Sequence, residues 1–242
     1  MLLRHYCVNE MYRPNGAAGW KPRAAGVSKL ITHCLLPTAL AAAIAFAGPV
    51  EARDEPKSIP QASLQLIEDV FARTADLLWE KSDEYFHNGC FERSIALLRL
   101  VVEMDPTDVE AFSVAAWLMD SKDRPAEALA FLKRGLALNP NRYELYADLG
   151  RYYYQAKDYA KAADYFEKAV KFKDCPEVLW HMLAHSYENG GQIEKSVETW
   201  QHAAALEPDN PVVKNNLERV KEKLEDQVLD TEDPAIERNE NP

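Results

Sequence analysis

Apolar and polar positions between residues 75 and 210 recur with a period of 34. Leu78, Phe112, Tyr146 and Trp180 stand in one column, Ser82, Ala116, Gly150 and Ala184 in a second, and Tyr85, Met119, Tyr153 and Tyr187 in a third. Farther along each unit come Ser94, Ala128, Ala162 and Ser196, then Leu98, Leu132, Phe166 and Trp200, then Val101, Gly135, Ala169 and Ala203. Within a unit these positions lie three, four or seven apart, the spacing of one helical face, and a polar turn separates two such faces. Each unit is therefore a predicted helical hairpin. Pro106, Pro140 and Pro208 keep the same period after the second helix, where proline halts helix continuation, with Asp174 at the missing step and Pro176 close behind.

Small residues suit the positions where two helices cross closely, and bulky ones the space between adjacent hairpins. One hairpin alone cannot bury such a face, so the pattern predicts stacked units over 75–108, 109–142, 143–176 and 177–210. Upstream, Leu64, Ile67, Val70 and Phe71 predict an extra helix over 61–74, opening near Ser63 and able to run straight into the first repeat helix. Downstream, Val213, Leu217, Val220 and Leu224 form a single stripe, opposed by Lys214, Glu218, Lys221, Glu222 and Glu225, as a capping helix over 211–225 requires. Residues 226–242 are acidic and lack apolar periodicity, which reads as a disordered tail; 53–60 reads as a linker on the same grounds.

Tyr146-x2-Leu149-Gly150-x2-Tyr153, Ala162-x3-Phe166 and Trp180-x2-Leu183-Ala184-x2-Tyr187 resemble the tetratricopeptide-repeat pattern. The resemblance covers all four units and implies an all-α fold: a right-handed superhelical solenoid of four helix-turn-helix repeats, with the extra N-terminal helix and the C-terminal capping helix at its ends. The first unit departs most, with Lys81 at an apolar position and Ser82 at the close-packing one, so its docking is expected to be the least secure.

Length and a 47% hydrophobic content are those of a protein with a real core. Charge narrows the partners. Residues 1–52 hold five basic and two acidic side chains; the remaining 23 basic and 37 acidic ones leave the body at -14. A nucleic-acid backbone is bound by clustered Lys and Arg, and no such patch is present in the sequence. Of four cysteines only Cys90 and Cys175 lie in the body, in turns at opposite hairpin ends, and they read as free thiols.

Lys21, Arg23 and Lys29 precede a mostly apolar run over 30–47, then Gly48-Pro49-Val50-Glu51-Ala52 and a charged stretch. That order reads as a secretory signal over 1–52, cleaved after Ala52 or after Ala47. An uncleaved anchor is the alternative, His33 and Pro37 making the run a marginal membrane span. Met11 offers a later start that keeps every signal element. With no twin-arginine pair, lipid-attachment cysteine or Asn-x-Ser/Thr site, the reading is an exported protein, periplasmic or secreted, touching the membrane only through its signal if that is retained.

In the tetratricopeptide family the first helix of each hairpin lines the concave side, where peptides bind. The resemblance therefore implies a partner groove of Trp79, Asp83, Phe86, Trp117, Arg151, Tyr154, His181 and His185, with Asp76, His87, Glu110, Ser113, Asp120, Ser121, Glu144, Ala147, Gln155, Val178, Glu188 and Asn189 on the same face. Bulky residues at helical spacing also serve as core, so Trp79 and Trp117 have both readings. Trp79, Asp83, Trp117 and Ala147 replace the Lys and Asn set with which some relatives grip a terminal carboxylate; Arg151 alone matches it. His181 and His185, four apart, lack a third ligand, so no metal is expected, and they would give binding a pH dependence around neutrality. No nucleophile elbow, phosphate loop or paired acids point to an enzyme, a cofactor or a small-molecule substrate. The resulting expectation is a non-enzymatic scaffold that binds a peptide or protein. The alternatives are a structural subunit of an envelope assembly that uses the convex face or the tail, or a membrane-anchored adaptor.

Overall fold

The computed structural model describes residues 60–232, which fall into two units, 60–68 and 69–232. The signal segment, residues 53–59 of the linker and residues 233–242 of the tail lie outside the described residues. Helix α1 (Gln61–His87) supplies residues 61–68 and continues into the second unit. It is followed by α2 (Phe91–Met104), α3 (Val109–Ser121), α4 (Pro125–Leu138), α5 (Tyr143–Gln155), α6 (Tyr159–Ala169), α7 (Val178–Asn189), α8 (Ile193–Leu206) and α9 (Pro211–Glu232), and the described residues contain no strand. The array is an all-α solenoid: α3 packs on α4, α5 on α6 and α7 on α8 within hairpins, while α2 meets α3, α4 meets α5, α6 meets α7 and α8 meets α9 between them. The first helices α3 and α5 also touch each other directly, which places consecutive first helices on one face.

The small-residue column marks the tight crossings. Gly150 is required there, because a Cβ would stand 2.8 Å from the Phe166 ring. Gly135 is required likewise, its Cβ position lying 2.8 Å from the Phe112 ring. In the first unit the same crossing is made by two hydroxyls: Ser82 and Ser94 are fully buried and hydrogen-bonded to each other at 2.8 Å. Ser82 thus fills the close-packing position without leaving its polar atom unpaired, and Lys81 stays outside, paired with Glu84 at 2.6 Å.

Each turn between the two helices of a hairpin bends through one left-handed residue at the same repeat position: Gly89, Asp123, Lys157 and Gly191, with φ of 71°, 60°, 60° and 77°. Glycine adopts that conformation without steric cost; aspartate and lysine do not. The turn at Lys157 is fixed at its far end by a cap, Asp158 accepting from the Lys161 amide at 3.2 Å, and the connection between the first two hairpins likewise ends on Asp108, which accepts from the Ala111 amide at 2.9 Å. Val213 and Val220 of α9 are fully buried against α8. The expectation of a cap ending at Glu225 with disorder beyond is corrected in part: α9 is helical to Glu232. Its excess of Glu and Lys is compatible with helix once the preceding turns are docked and the nucleation cost has been met.

Candidate functional site

A recess of about 250 Å³ opens between α3 and α5, lined by Ser113, Ala116, Trp117 and Asp120 of α3, Ala128 and Leu132 of α4, and Asp148, Arg151, Tyr152 and Gln155 of α5. Its inner surface is apolar, since Ala116, Ala128 and Leu132 are buried. At its mouth stands Trp117, 39% exposed, unusual for so large an apolar side chain inside a packed array. The indole leans on Phe86 at 6.2 Å between ring centroids, and Phe86 meets Phe91 edge-on at 5.6 Å, so an aromatic ridge supports it from behind.

Charge in the recess is organised by Asp148, which is only 6% exposed. The Ser113 hydroxyl donates to one of its oxygens and the Arg151 guanidinium to the other. Burial nevertheless raises its pKa above the usual carboxylate value, the nearby Arg151 opposing the shift. Arg151 is thereby held against its own helix, three residues on from its partner. The neighbouring Asp120 carboxylate has neither a hydrogen bond nor an ion pair among the described residues. Burial and the Asp120 charge both raise the Tyr152 hydroxyl pKa.

Of the eight residues expected to form the groove, Trp117 and Arg151 meet in this recess. Trp79 does not: it is 5% exposed, and its indole N–H donates to the Asp108 carboxylate at 2.7 Å. The reason is positional. Trp79, Ser113, Ala147 and His181 share one repeat column, and three of them bond a carboxylate farther along the chain: Trp79 to Asp108, which caps α3, Ser113 to Asp148 of α5, and His181 to Glu207, just past α8, at 2.6 Å. Through Trp79 and Ser113 this column ties successive first helices together. Ala147, the fourth member, is buried as well. His181 is only 12% exposed and lies against the buried Trp200 ring at 5.3 Å.

The remaining candidates lie along the same run of helices but apart from the recess lining. Asp83 is half-buried beside His87, Phe86 belongs to the aromatic ridge, and the Tyr154 hydroxyl accepts from Asn189 at 2.8 Å. His185 packs edge-on to Trp200 at 5.0 Å, and burial pushes its pKa below the ordinary 6.5. Among the described residues no group of three or more His, Cys, Asp or Glu is placed to hold a metal ion. Cys90 and Cys175 are free thiols.

Asp148 and Tyr152 were not among the residues singled out from sequence. Asp148 did carry a signal: its repeat column otherwise reads Glu80, Val114 and Met182, so a charged residue sits where both neighbouring units have an apolar one.

The family model described as tetratricopeptide repeat matches residues 121–179, and a second of the same description matches 178–210. The matched spans hold α4 to α8 with the turns that join them. These are tetratricopeptide repeats. Anaphase-promoting complex subunit 3 of Schizosaccharomyces pombe is similar at 24% identity over 182 residues, 72% of this chain and 27% of that protein, so the chain spans about a quarter of that relative's length. Among solved structures, MamA superposes with a TM-score of 0.54 at 19% identity, covering 66% of this chain and 88% of that one. The pilF protein of Pseudomonas aeruginosa gives 0.53 at 18% identity, with 65% and 72% covered. At these identities the likeness shows the fold.

Proposed function

We propose that the protein is an interaction scaffold working outside the cytoplasm, and that it holds a peptide or protein partner on the face where the first helices meet, centred on the recess between α3 and α5. The observation that carries the reading is Trp117. A half-exposed indole backed by Phe86 sits at the mouth of a recess with a buried apolar floor, and tryptophan in such a setting is a favoured binding anchor. The acidic body makes nucleic acid an unsuitable partner. Export rests on the basic flank, apolar run and small-residue cleavage pattern of residues 21–52.

Site-specific photocrosslinking tests the surface. A photoreactive residue at Gln155, inside the recess, should capture a discrete partner that one at Lys168, exposed on α6, does not, and Trp117→Ala should abolish the capture at unchanged helical content. Equal capture from both positions, or capture indifferent to Trp117, would move the working surface elsewhere. Export is tested by fractionation and by the mature N-terminus, expected at Arg53 or Gly48; a cytoplasmic full-length chain would overturn it.

A further inference from the structure

Arg151 and Arg219 occupy the same repeat position two periods apart, yet they pair differently. On α9, Arg219 crosses to α7 and binds the Glu188 carboxylate with two nitrogens, at 2.5 and 2.8 Å, with the neutral Asn216 three residues before it at 3.2 Å. On α5 the residue three before the arginine is Asp148, a carboxylate, and it holds Arg151 on its own helix. The side chain that answers to Glu188, two periods before it and 31 residues before Arg151 as Glu188 is before Arg219, is Asp120, and among the described residues it has no ion-pair partner. A cation that the fold supplies at one joint is therefore missing at the other, beside an exposed indole face.

Resting on the groove reading above, we propose that the recess selects a basic side chain, Arg or Lys, of the partner peptide: the alkyl stem lies on Ala116, Ala128 and Leu132, and the cation sits between the Trp117 ring and the Asp120 carboxylate. Three features agree with this chemistry. Tryptophan is the strongest of the aromatic side chains toward a cation above its face. Lys and Arg bury their stems on apolar surface while their charged heads stay at the rim, which matches a buried floor under a polar mouth. The volume, about 250 Å³, lies below the roughly 300–1,000 Å³ of pockets for drug-sized ligands and suits a single side chain. Lys133 of α4 acts on Tyr152 but is not part of the lining. The strongly acidic body favours encounter with a basic segment.

The test uses the full-length mature chain labelled with 5-fluorotryptophan, the Trp117 fluorine resonance being assigned by Trp117→Phe. The probes are acetylated, amidated glycine pentapeptides with a central Arg, Lys, norleucine or Glu. The Arg and Lys probes should shift the Trp117 resonance saturably at millimolar concentration, at least fivefold more tightly than norleucine. Asp120→Asn, which leaves the stability unchanged by urea denaturation, should erase that margin, whereas Asp123→Asn, outside the recess, should keep it. Equal binding of norleucine, preference for Glu, or no shift with any probe overturns the basic side chain. The photocrosslinking at Gln155 judges the groove independently, so a groove that binds without basic preference is distinguishable from no groove at all.

Discussion

The α3/α5 joint and the α7/α9 joint are built on the same repeat positions, but the first is open and the second is closed. At the closed joint Glu188, 8% exposed, takes both nitrogens of Arg219 and has Lys223 at 3.5 Å. At the open joint Asp148 draws Arg151 inward and Asp120 remains at the rim of a recess. The lesson is that backbone repetition fixes where two helices meet, whereas one carboxylate three residues from an arginine decides whether the meeting is sealed.

The largest effect that separates the two regions should come from the tight crossings. Gly150→Ala pushes a methyl against the Phe166 ring, and overpacking of this kind should cost about 1–3 kcal/mol in urea denaturation. The corresponding residue of the other hairpin is already Ala184, so Ala184→Gly should cost about 1 kcal/mol, through helix propensity.

Next is the seal itself. Glu188→Ala removes a charged hydrogen-bond acceptor from a half-exposed arginine and should cost about 1–2 kcal/mol, while Asp120→Ala should stay within about 0.5 kcal/mol. The same contrast has a pH signature. Hydrogen bonding from Arg219 holds the Glu188 pKa below its ordinary 4.5, so this contribution is present above that value and lost as pH falls through the depressed one. The stability difference between the native chain and Glu188→Gln should therefore shrink on acidification below about pH 4.5. A constant difference across that range would remove the ion pair from the account.

The exchange of roles is the sharpest comparison. Asp148→Asn gives α5 the side chain that α9 has at Asn216, so Arg151 should swing to Asp120, fill the mouth of the recess and abolish probe binding at Trp117. Asn216→Asp should draw Arg219 from Glu188 and loosen α9, seen as faster amide exchange beyond Val213. If Asp148→Asn leaves the recess open, the pairing does not control access.

The smallest effect lies in the turns. Lys157, between α5 and α6, holds a left-handed conformation that Gly191 supplies in the later hairpin. Lys157→Gly should stabilise by up to about 1 kcal/mol, and Gly191→Lys should cost a similar amount.

The period of 34 determined the all-α solenoid, because apolar columns at helical spacing can be buried only by stacking hairpins, and no tertiary detail was needed to see that. It also placed Trp117 and Arg151 on one face, since residues in one column of successive first helices must lie side by side. Column membership could not say that Trp79 turns forward to Asp108 while Trp117 stands half-exposed, because that depends on which neighbours each indole meets. Nor could it show Arg151 engaged and Asp120 unpaired, for an arginine's choice between two carboxylates is set by angles and desolvation across a joint. Short-range spacing fixed the helices and their faces; the fate of each charge on those faces was decided only by the approach of the next helix.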